Sequence, residues 1–401
     1  YSGTVNYVGK MDTLGSTFKI IGDYNQSVSD NRNDYDNRSA SWAGGIGSAE
    51  QNDITRSRAG SDYLITSLSA DVDIVRSPVT TFKTGAKFTF NKMYSDTRYE
   101  ELNGGVWQPS TSEDSKKTDY TENIGALYFI YNTRLGKVGL SAGIRGEYTY
   151  IIPKFDGTAS AKSDDAQQSY FSFFPNLNVS VPLNKTFSNS LIFSYSRRIS
   201  RPGFWALNPS KIKLSEYSEI VGNPDLKPTF SNNISLTTVL AYKYSLTIGA
   251  QLLQDEVAQI VVRDQGNEDK LLYRFENISS SHMYYAALNA PITITKWWTL
   301  NLNLTGLYQN QKLPGEDKFR RNLGLFSYSA MNFSLPLQFD IEVTNWYQSR
   351  AISGNMEGEP QYNFGVGVKK RFLKNKFTAS LGAMNILDRV QVVHSYDDTF
   401  N

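Results

Sequence analysis

Along most of this chain apolar and polar residues alternate with a period of two, the repeat of an extended strand whose successive side chains project to opposite faces. The clearest case is Val138 to Tyr150. Val138, Leu140, Ala142, Ile144, Tyr148 and Tyr150 fall on one face, and Ser141, Arg145, Glu147 and Thr149 on the other. Between Asp62 and Val75, Leu64, Leu68, Ala70, Val72 and Ile74 share a face. Between Thr80 and Glu100, Phe82, Ala86, Phe88 and Phe90 oppose Lys83, Lys87 and Thr89. The same alternation predicts single strands over Tyr244–Val262 and Leu271–Ile294, with a short loop between them near Asp264 to Asp269. In all, the pattern predicts about sixteen strands, many longer than the roughly 9–11 residues that cross a bilayer.

What separates the strands is equally regular. Tight turns, such as Met11 to Gly15, Arg76 to Pro78 and Leu135 to Lys137, alternate with polar loops, such as Asp30 to Gly60, Leu102 to Thr118 and Pro153 to Gln168. A soluble sandwich or propeller is built from shorter strands. Short turns on one side and long loops on the other are expected of an outer-membrane barrel. The expected fold is therefore all-β: a transmembrane antiparallel β-barrel with short periplasmic turns and long extracellular loops.

Composition sharpens this picture. Aromatic residues make up 13% of the chain, with 25 Tyr and 22 Phe, and many fall at strand ends: Tyr148, Tyr150, Trp205, Tyr242, Tyr244, Trp297, Trp298, Tyr308, Trp346 and Tyr347. Apart from Trp205, in the loop that carries the motif below, these are the candidate interfacial girdle, since such rings suit a place where one end is apolar and the other wet. Charges support the same assignment of faces. Lys83, Lys87, Arg145, Glu147, Asp340 and Glu342 lie on polar faces, whereas Lys or Arg toward lipid costs roughly 2–4 kcal/mol at the bilayer midplane. Mean hydropathy is negative, but averaging is blind to apolarity placed on every second residue. A net charge of +2 is too small to argue for nucleic acid, and the absence of cysteine removes disulfides, thiolate metal sites and a cysteine nucleophile.

A proline-punctuated stretch stands out. It reads R-R-I-S-R-P at Arg197 to Pro202, L-N-P at Leu207 to Pro209 and G-N-P-D-L-K-P at Gly222 to Pro228. The prolines fix φ, remove donors and end strand pairing, which gives the loop a defined exit. Alternation puts Arg198 inward, where carboxylates of a plug or of the loops would pair with it, and Arg197 near the upper lipid boundary. Bracing of the wall is the favoured role for these residues, ahead of direct ligand contact.

Together with F-F-P-N-L at Phe173 to Leu177 and M-N-I-L-D at Met384 to Asp388, the motif resembles that of TonB-dependent outer-membrane receptors and, more narrowly, of the outer-membrane β-barrel family close to them. The residues that carry the resemblance are Arg197, Arg198, Arg201, Pro202, Asn208, Pro209, Gly222, Asn223, Pro224, Leu226, Lys227 and Pro228. It implies a 22-stranded barrel in the outer membrane, closed by a plug and energised through the TonB complex, that imports a scarce ligand. Residues 1–401 then form one partial barrel domain lacking the plug, the TonB-interacting segment and the terminal strand. Arg389 to Asn401 is expected to be an external loop.

Catalytic chemistry is not expected, nor any cofactor. His282 and His394 are far apart and lack metal-ligand companions. Ser281 adjoins His282 but points to the opposite face, so that pair is no nucleophile and base. Alternating Asp, Asn and Arg at Asp30 to Asp36 are read as solvated loop in preference to a calcium site. Two rival functions stay open: a passive porin-like channel, and a structural or assembly barrel whose loops dock a surface lipoprotein. The expected partners are outer-membrane lipid, a plug and the TonB complex, or such an envelope protein, and no nucleic acid.

Overall fold

The computed structural model describes residues 1–39, 42–43, 46–47, 51–110, 116–156, 167–209, 211–215, 217–264, 266–373, 375–387 and 393–394. Its wall is an antiparallel meander of sixteen strands. These are β1 (Ser2–Lys10), β2 (Thr17–Ser39), β3 (Gln51–Ser77), β4 (Thr80–Asn103), β5 (Lys116–Leu135), β6 (Val138–Asp156), β7 (Gln168–Pro182) and β8 (Ser190–Ser200). The second half comprises β9 (Thr229–Leu240), β10 (Tyr244–Gln254), β11 (Ser280–Thr295), β12 (Trp298–Lys312), β13 (Arg320–Leu335), β14 (Phe339–Gln348), β15 (Gln361–Phe372) and β16 (Phe377–Ala383). A further short strand, Val106–Pro109, folds back on β4. Among the described residues β1 and β16 pair only with their chain neighbours. No helix among them is long and apolar enough to cross a membrane.

Each strand pairs with the next, so the turn-and-loop rhythm read from the sequence is the rhythm of the wall. Several turns use left-handed backbone at non-glycine residues, as at Ala241 and Tyr242 (φ 51° and 60°) and Leu337 and Gln338 (φ 61° and 62°). Two successive positive φ values give each turn a twist that suits the flanking strands, so three residues join Leu240 to Tyr244 and Leu335 to Phe339.

Register fixes the faces. One row runs Leu68, Phe88, Gly125, Tyr148 and Phe171 across β3 to β7. In it Leu68, Phe88, Tyr148 and Phe171 are about half exposed, which suits a surface meant for hydrocarbon. The adjacent row on the other face runs Ser69, Lys87, Ala126, Glu147 and Ser172. That face carries the polar contacts: Ser141 donates to Asn132 at 2.6 Å and Asp73 meets both Lys19 and Lys83. One outward cation, Lys370, stands at the turn end, where its ammonium lies 3.8 Å from the Phe339 ring and donates to the Leu337 carbonyl. Such snorkelling needs no site in hydrocarbon.

Three expectations change. The polar stretch from Asp30 to Gly60 is largely strand, since β2 and β3 stay in register from Thr17 opposite Asp73 to Ser39 opposite Gln51. Backbone pairing needs no apolar alternation, so hydropathy could not find it. The strand expected over Tyr244–Val262 breaks at Asp255 (φ 53°), and the one over Leu271–Ile294 breaks at Ser279. The segments between, Glu256–Asp264 and Asn267–Ile278, leave the wall as a hairpin whose Ile260, Val261 and Val262 are buried. Their apolar run is loop core, which period-two counting cannot tell from a lipid-facing strand. Asp30 to Asp36 likewise lies within β2, where Arg32 pairs with Asp34 at 3.0 Å.

Candidate functional site

The loop ends of the wall are bridged by a second, smaller structure. A four-stranded sheet takes the order Lys211–Ser215, Ser218–Val221, Asn267–Ile278, Glu256–Asp264, joining the β8–β9 and β10–β11 loops. Lys211 pairs with Glu219 and Asp264, and Lys270 with Glu219, across its surface. The backbone N–H of Gly266 holds the Asp264 carboxyl below its ordinary pKa, and the Lys211 ammonium adds to this. Stabilisation from that carboxylate is therefore present above the ordinary carboxylate range and lost as pH falls through the lowered folded value.

The proline-rich motif is the hinge of this assembly. After β8 the chain makes one helical turn, Phe204–Leu207, closed by the Asn208 N–H donating to Phe204 O at 3.0 Å. Gly222 then passes directly over that turn. Its N–H donates to Asn208 O at 2.9 Å, and a Cβ there would sit 2.7 Å from the Ala206 carbonyl and closer still to that of Asn208. Only glycine allows two backbones so near. Asn223 donates its side-chain amide to Phe275 O at 3.1 Å and accepts from Asp225 N at 3.0 Å, turning the chain before Leu226. Asn277 accepts from Lys227 N and donates to Lys227 O, both at 2.9 Å. Gln168 on β7 donates to the carbonyls of Pro224 and Leu226.

Leu226 and Leu207 are all but fully buried, against Met93, Tyr120 and Ile151 from the polar face of β4 to β6 and Phe275 from the hairpin. Pro202 and Pro228 line a small gap beside this cluster. Below it lies an ionic knot. The Arg201 guanidinium donates to Glu147 at 2.6 Å and to Thr149 at 2.9 Å, and lies 3.6 Å from Glu122. Glu147 also receives Arg145 at 2.6 Å, and Glu122 receives Asn91 at 2.7 Å. Both carboxylates are under a tenth exposed. Burial works against the charge on Arg201, but the Glu147 hydrogen bond and neighbouring charges leave its pKa raised. It is thus a permanent cation between two buried anions.

The assembly is tied to the far side of the wall as well. The Asn355 side chain, fully buried in the β14–β15 loop, accepts from Val261 N at 2.9 Å and donates to Val261 O at 2.7 Å, completing the open edge of the hairpin. Gln311 at the end of β12 donates to Gly354 O at 2.6 Å. Gly354 has φ 59°, and a Cβ there would strike the Gln259 carbonyl. Leu313, Ala258 and Ile278 form a second core beneath. The result is a lid anchored to β4–β7 on one side and to β12–β14 on the other, over the face that carries the charges.

Other residues singled out from sequence are placed as follows. Arg197 is on the apolar face with its guanidinium 4.8 Å from the Phe230 ring, and Arg198 is exposed on the polar face. Asn208 and Lys227 take part through the backbone of the hinge, and Pro209 follows Asn208, half-buried. Tyr148, Tyr150 and Tyr308 stand on the apolar face toward the loops, as does Tyr347; Tyr242, Tyr244, Trp297 and Trp298 stand at the turns. Trp298 and Tyr308 are ten residues apart, about 33 Å of strand, or ~25 Å across a membrane at the usual barrel tilt. Trp346 does not share that surface. It lies on the face of Asp340 and Glu342, packed edge-on against Phe326, because adjacent residues Trp346 and Tyr347 cannot both look outward. Trp205 belongs to the hinge and meets Phe275 edge-on at 4.6 Å. Asn385 to Leu387 follow β16 outside the wall; of the loop expected over Arg389 to Asn401 only Val393–His394 is described, paired with Gly358 and Glu357 of the β14–β15 loop, and residues 388–392 and 395–401 lie outside the described residues.

Comparison with known proteins agrees with this architecture. The copper transporter OprC superposes with a TM-score of 0.65 at 11% identity, covering 97% of this chain and 59% of its own. The ferric citrate transporter FecA gives 0.61 at 14%, covering 99% and 58%. The ferric yersiniabactin uptake receptor FyuA from Yersinia pestis gives 0.62 at 11%, covering 97% and 56%. The chain thus spans a little over half the length of these structures, and at such identities the likeness is one of fold. Among curated proteins no sequence matches. The outer membrane protein beta-barrel family, however, matches residues 9–401. With sixteen wall strands, an apolar outer face and that match, this chain belongs to the outer membrane protein β-barrel family and is an integral protein of the outer membrane.

Proposed function

We propose that the chain is the barrel of a TonB-dependent uptake receptor, which binds a scarce ligand on its external loops and passes it inward past a plug. The single observation that carries this reading is the lid. An open diffusion channel has no use for a four-stranded sheet buried against its inner wall, whereas a receptor needs a rigid external surface that is coupled to the lumen. Arg201 provides such coupling, linking the lid's hinge to Glu122 and Glu147 on the wall. The likeness to transporters of ferric citrate, copper and ferric yersiniabactin supports a metal or metal-chelate cargo as the class to test first.

The lipoprotein-docking alternative draws on one feature. Ile212 and Leu214 on the outer edge of the lid sheet, with nearby Tyr217, are 42%, 53% and 66% exposed. The experiment that separates the readings uses the full-length protein. In planar bilayers a receptor passes no steady current, and cells carrying it accumulate radiolabelled ferric citrate or copper in a manner abolished by a protonophore. Steady ohmic conductance with protonophore-insensitive entry would establish a porin instead. Silence in both assays, with a surface lipoprotein co-purifying, would favour the docking barrel.

A further inference from the structure

A cluster outside the lid lies on the opposite face of the wall. β11 begins at Ser280, and its alternation puts Ser280, His282 and Tyr284 on the apolar face, while Ser281 turns the other way and is 1% exposed. Ser280 Oγ is 3.1 Å from His282 Nε2. The second ring nitrogen, Nδ1, is buried without a hydrogen-bond partner. So is the side-chain oxygen of Asn310 on β12, and the register sets Asn310 directly opposite His282. Lys312 is opposite Ser280 in the same pairing. One row toward the membrane, Tyr284 and Tyr308 are paired and stacked, with centroids 6.4 Å apart. A hydroxyl and an imidazole along one strand and an amide across from the imidazole therefore share the outer edge of the apolar belt.

We propose that Ser280, His282 and Asn310 form a nucleophile, base and positioning residue that hydrolyse carboxylic esters of long-chain lipids presented at the membrane boundary. A nucleophile–base pair is recognised by a hydrogen bond of this length, with the base oriented by a third group. If Nε2 accepts the serine proton, the ring carries its own proton on Nδ1, and a buried donor requires an acceptor. The carbonyl oxygen of Asn310 is the unpartnered acceptor at the opposed position, where cross-strand Cβ atoms lie roughly 4.5–5.5 Å apart. Catalytic hydrogen bonds of this kind commonly tighten only when substrate is bound.

The steps balance without a cofactor. Ser280 Oγ bonds to the ester carbonyl carbon as its proton passes to His282 Nε2. Collapse of the tetrahedral adduct breaks the carbon–oxygen bond to the alcohol, which leaves with that proton. Water then attacks the acyl-serine, giving one proton to Nε2, and release of the fatty acid returns it to Ser280. Lys312, the register partner of Ser280, is the cation in reach to favour the oxyanion formed in both halves. The substrate class follows from place. This face meets hydrocarbon, the Tyr284–Tyr308 row marks its wet boundary, and an ester joining acyl chain to headgroup lies at that depth. In sequence the neighbouring Ser281 draws attention, but residues two apart share a strand face, and Ser280 is the serine that qualifies.

The test uses the full chain folded in micelles, with a long-chain alkyl fluorophosphonate as probe and a long-chain p-nitrophenyl ester as substrate. Mass spectrometry is expected to place the adduct on Ser280. Ser280→Ala should abolish labelling, and Ser281→Ala should retain it. His282→Gln should lower turnover on the order of 10³-fold or more. Asn310→Asp, which preserves the acceptor, should retain labelling, and Asn310→Leu should lose it, with all variants still heat-modifiable. No adduct on Ser280 in the folded wild-type chain, undiminished hydrolysis by folded Ser280→Ala, or equal labelling of Asn310→Leu and Asn310→Asp would each overturn the triad.

Discussion

At the residue scale Arg201 has the most to lose. It shields two carboxylates from each other inside the wall, so its removal leaves Glu122 and Glu147 buried without their shared cation. Stranding a buried charge costs about 3–5 kcal/mol. Arg201→Leu should therefore lower the guanidinium unfolding midpoint in micelles markedly, and Arg201→Leu with Glu147→Gln should recover part of the loss. Equal midpoints for wild type and single variant would show that the knot contributes little. Arg201 was legible from sequence as part of a motif, because prolines and glycines mark fixed backbone. Its partners were not, since Glu147 lies 54 residues away and nothing local announces the contact. Gly222 is similar: the residue type announces a close approach, but not the Ala206 carbonyl that it approaches.

At the element scale the faces of the strands decide whether the chain enters a membrane. Leu140 lies outward on β6 and Ser141 inward, hydrogen-bonded to Asn132. Arginine in place of Leu302, four residues in from Trp298, should block membrane assembly, since a guanidinium toward lipid costs roughly 2–4 kcal/mol at mid-depth. Ser141→Arg should assemble. Heat-modifiability on gels reads the difference, and equal behaviour of the two would reverse the faces. This level was the most legible in the sequence, because alternation is local and repeated along every wall strand. It failed where alternation and pairing part company. The outer halves of β2 and β3 pair without an apolar row. The stretch after Asp255 is apolar but belongs to the lid, and one left-handed residue, invisible to hydropathy, makes the break.

At the scale of the molecule the lid is held by contacts between loops distant in sequence; Asn355 and Val261 are 94 residues apart. Cutting that tie should free the lid and spare the wall. Asn355→Ala leaves the N–H and C=O of Val261 unpaired in a buried setting, a loss of about 1–3 kcal/mol each. Limited proteolysis should then cleave within residues 255–279 at a raised rate, with the wall's heat-modifiability unchanged. Unaltered protection of that segment would mean that the lid is held from the β4–β7 side alone. No local pattern encodes such a bridge, and Ala258, Phe275 and Ile278 of the two buried cores fall where alternation alone predicts wall strands.

The unequal height of the wall has its own consequence. β3 has 27 residues and β16 only seven. At ~3.3 Å per residue and the usual tilt, β3 rises roughly 60–70 Å, while the hydrocarbon band is ~25 Å tall. A stiff parapet of paired backbone some 40 Å high therefore stands on one flank of the mouth and reaches through the depth where surface sugars crowd. A bulky body approaching the mouth from that flank meets this paired backbone first.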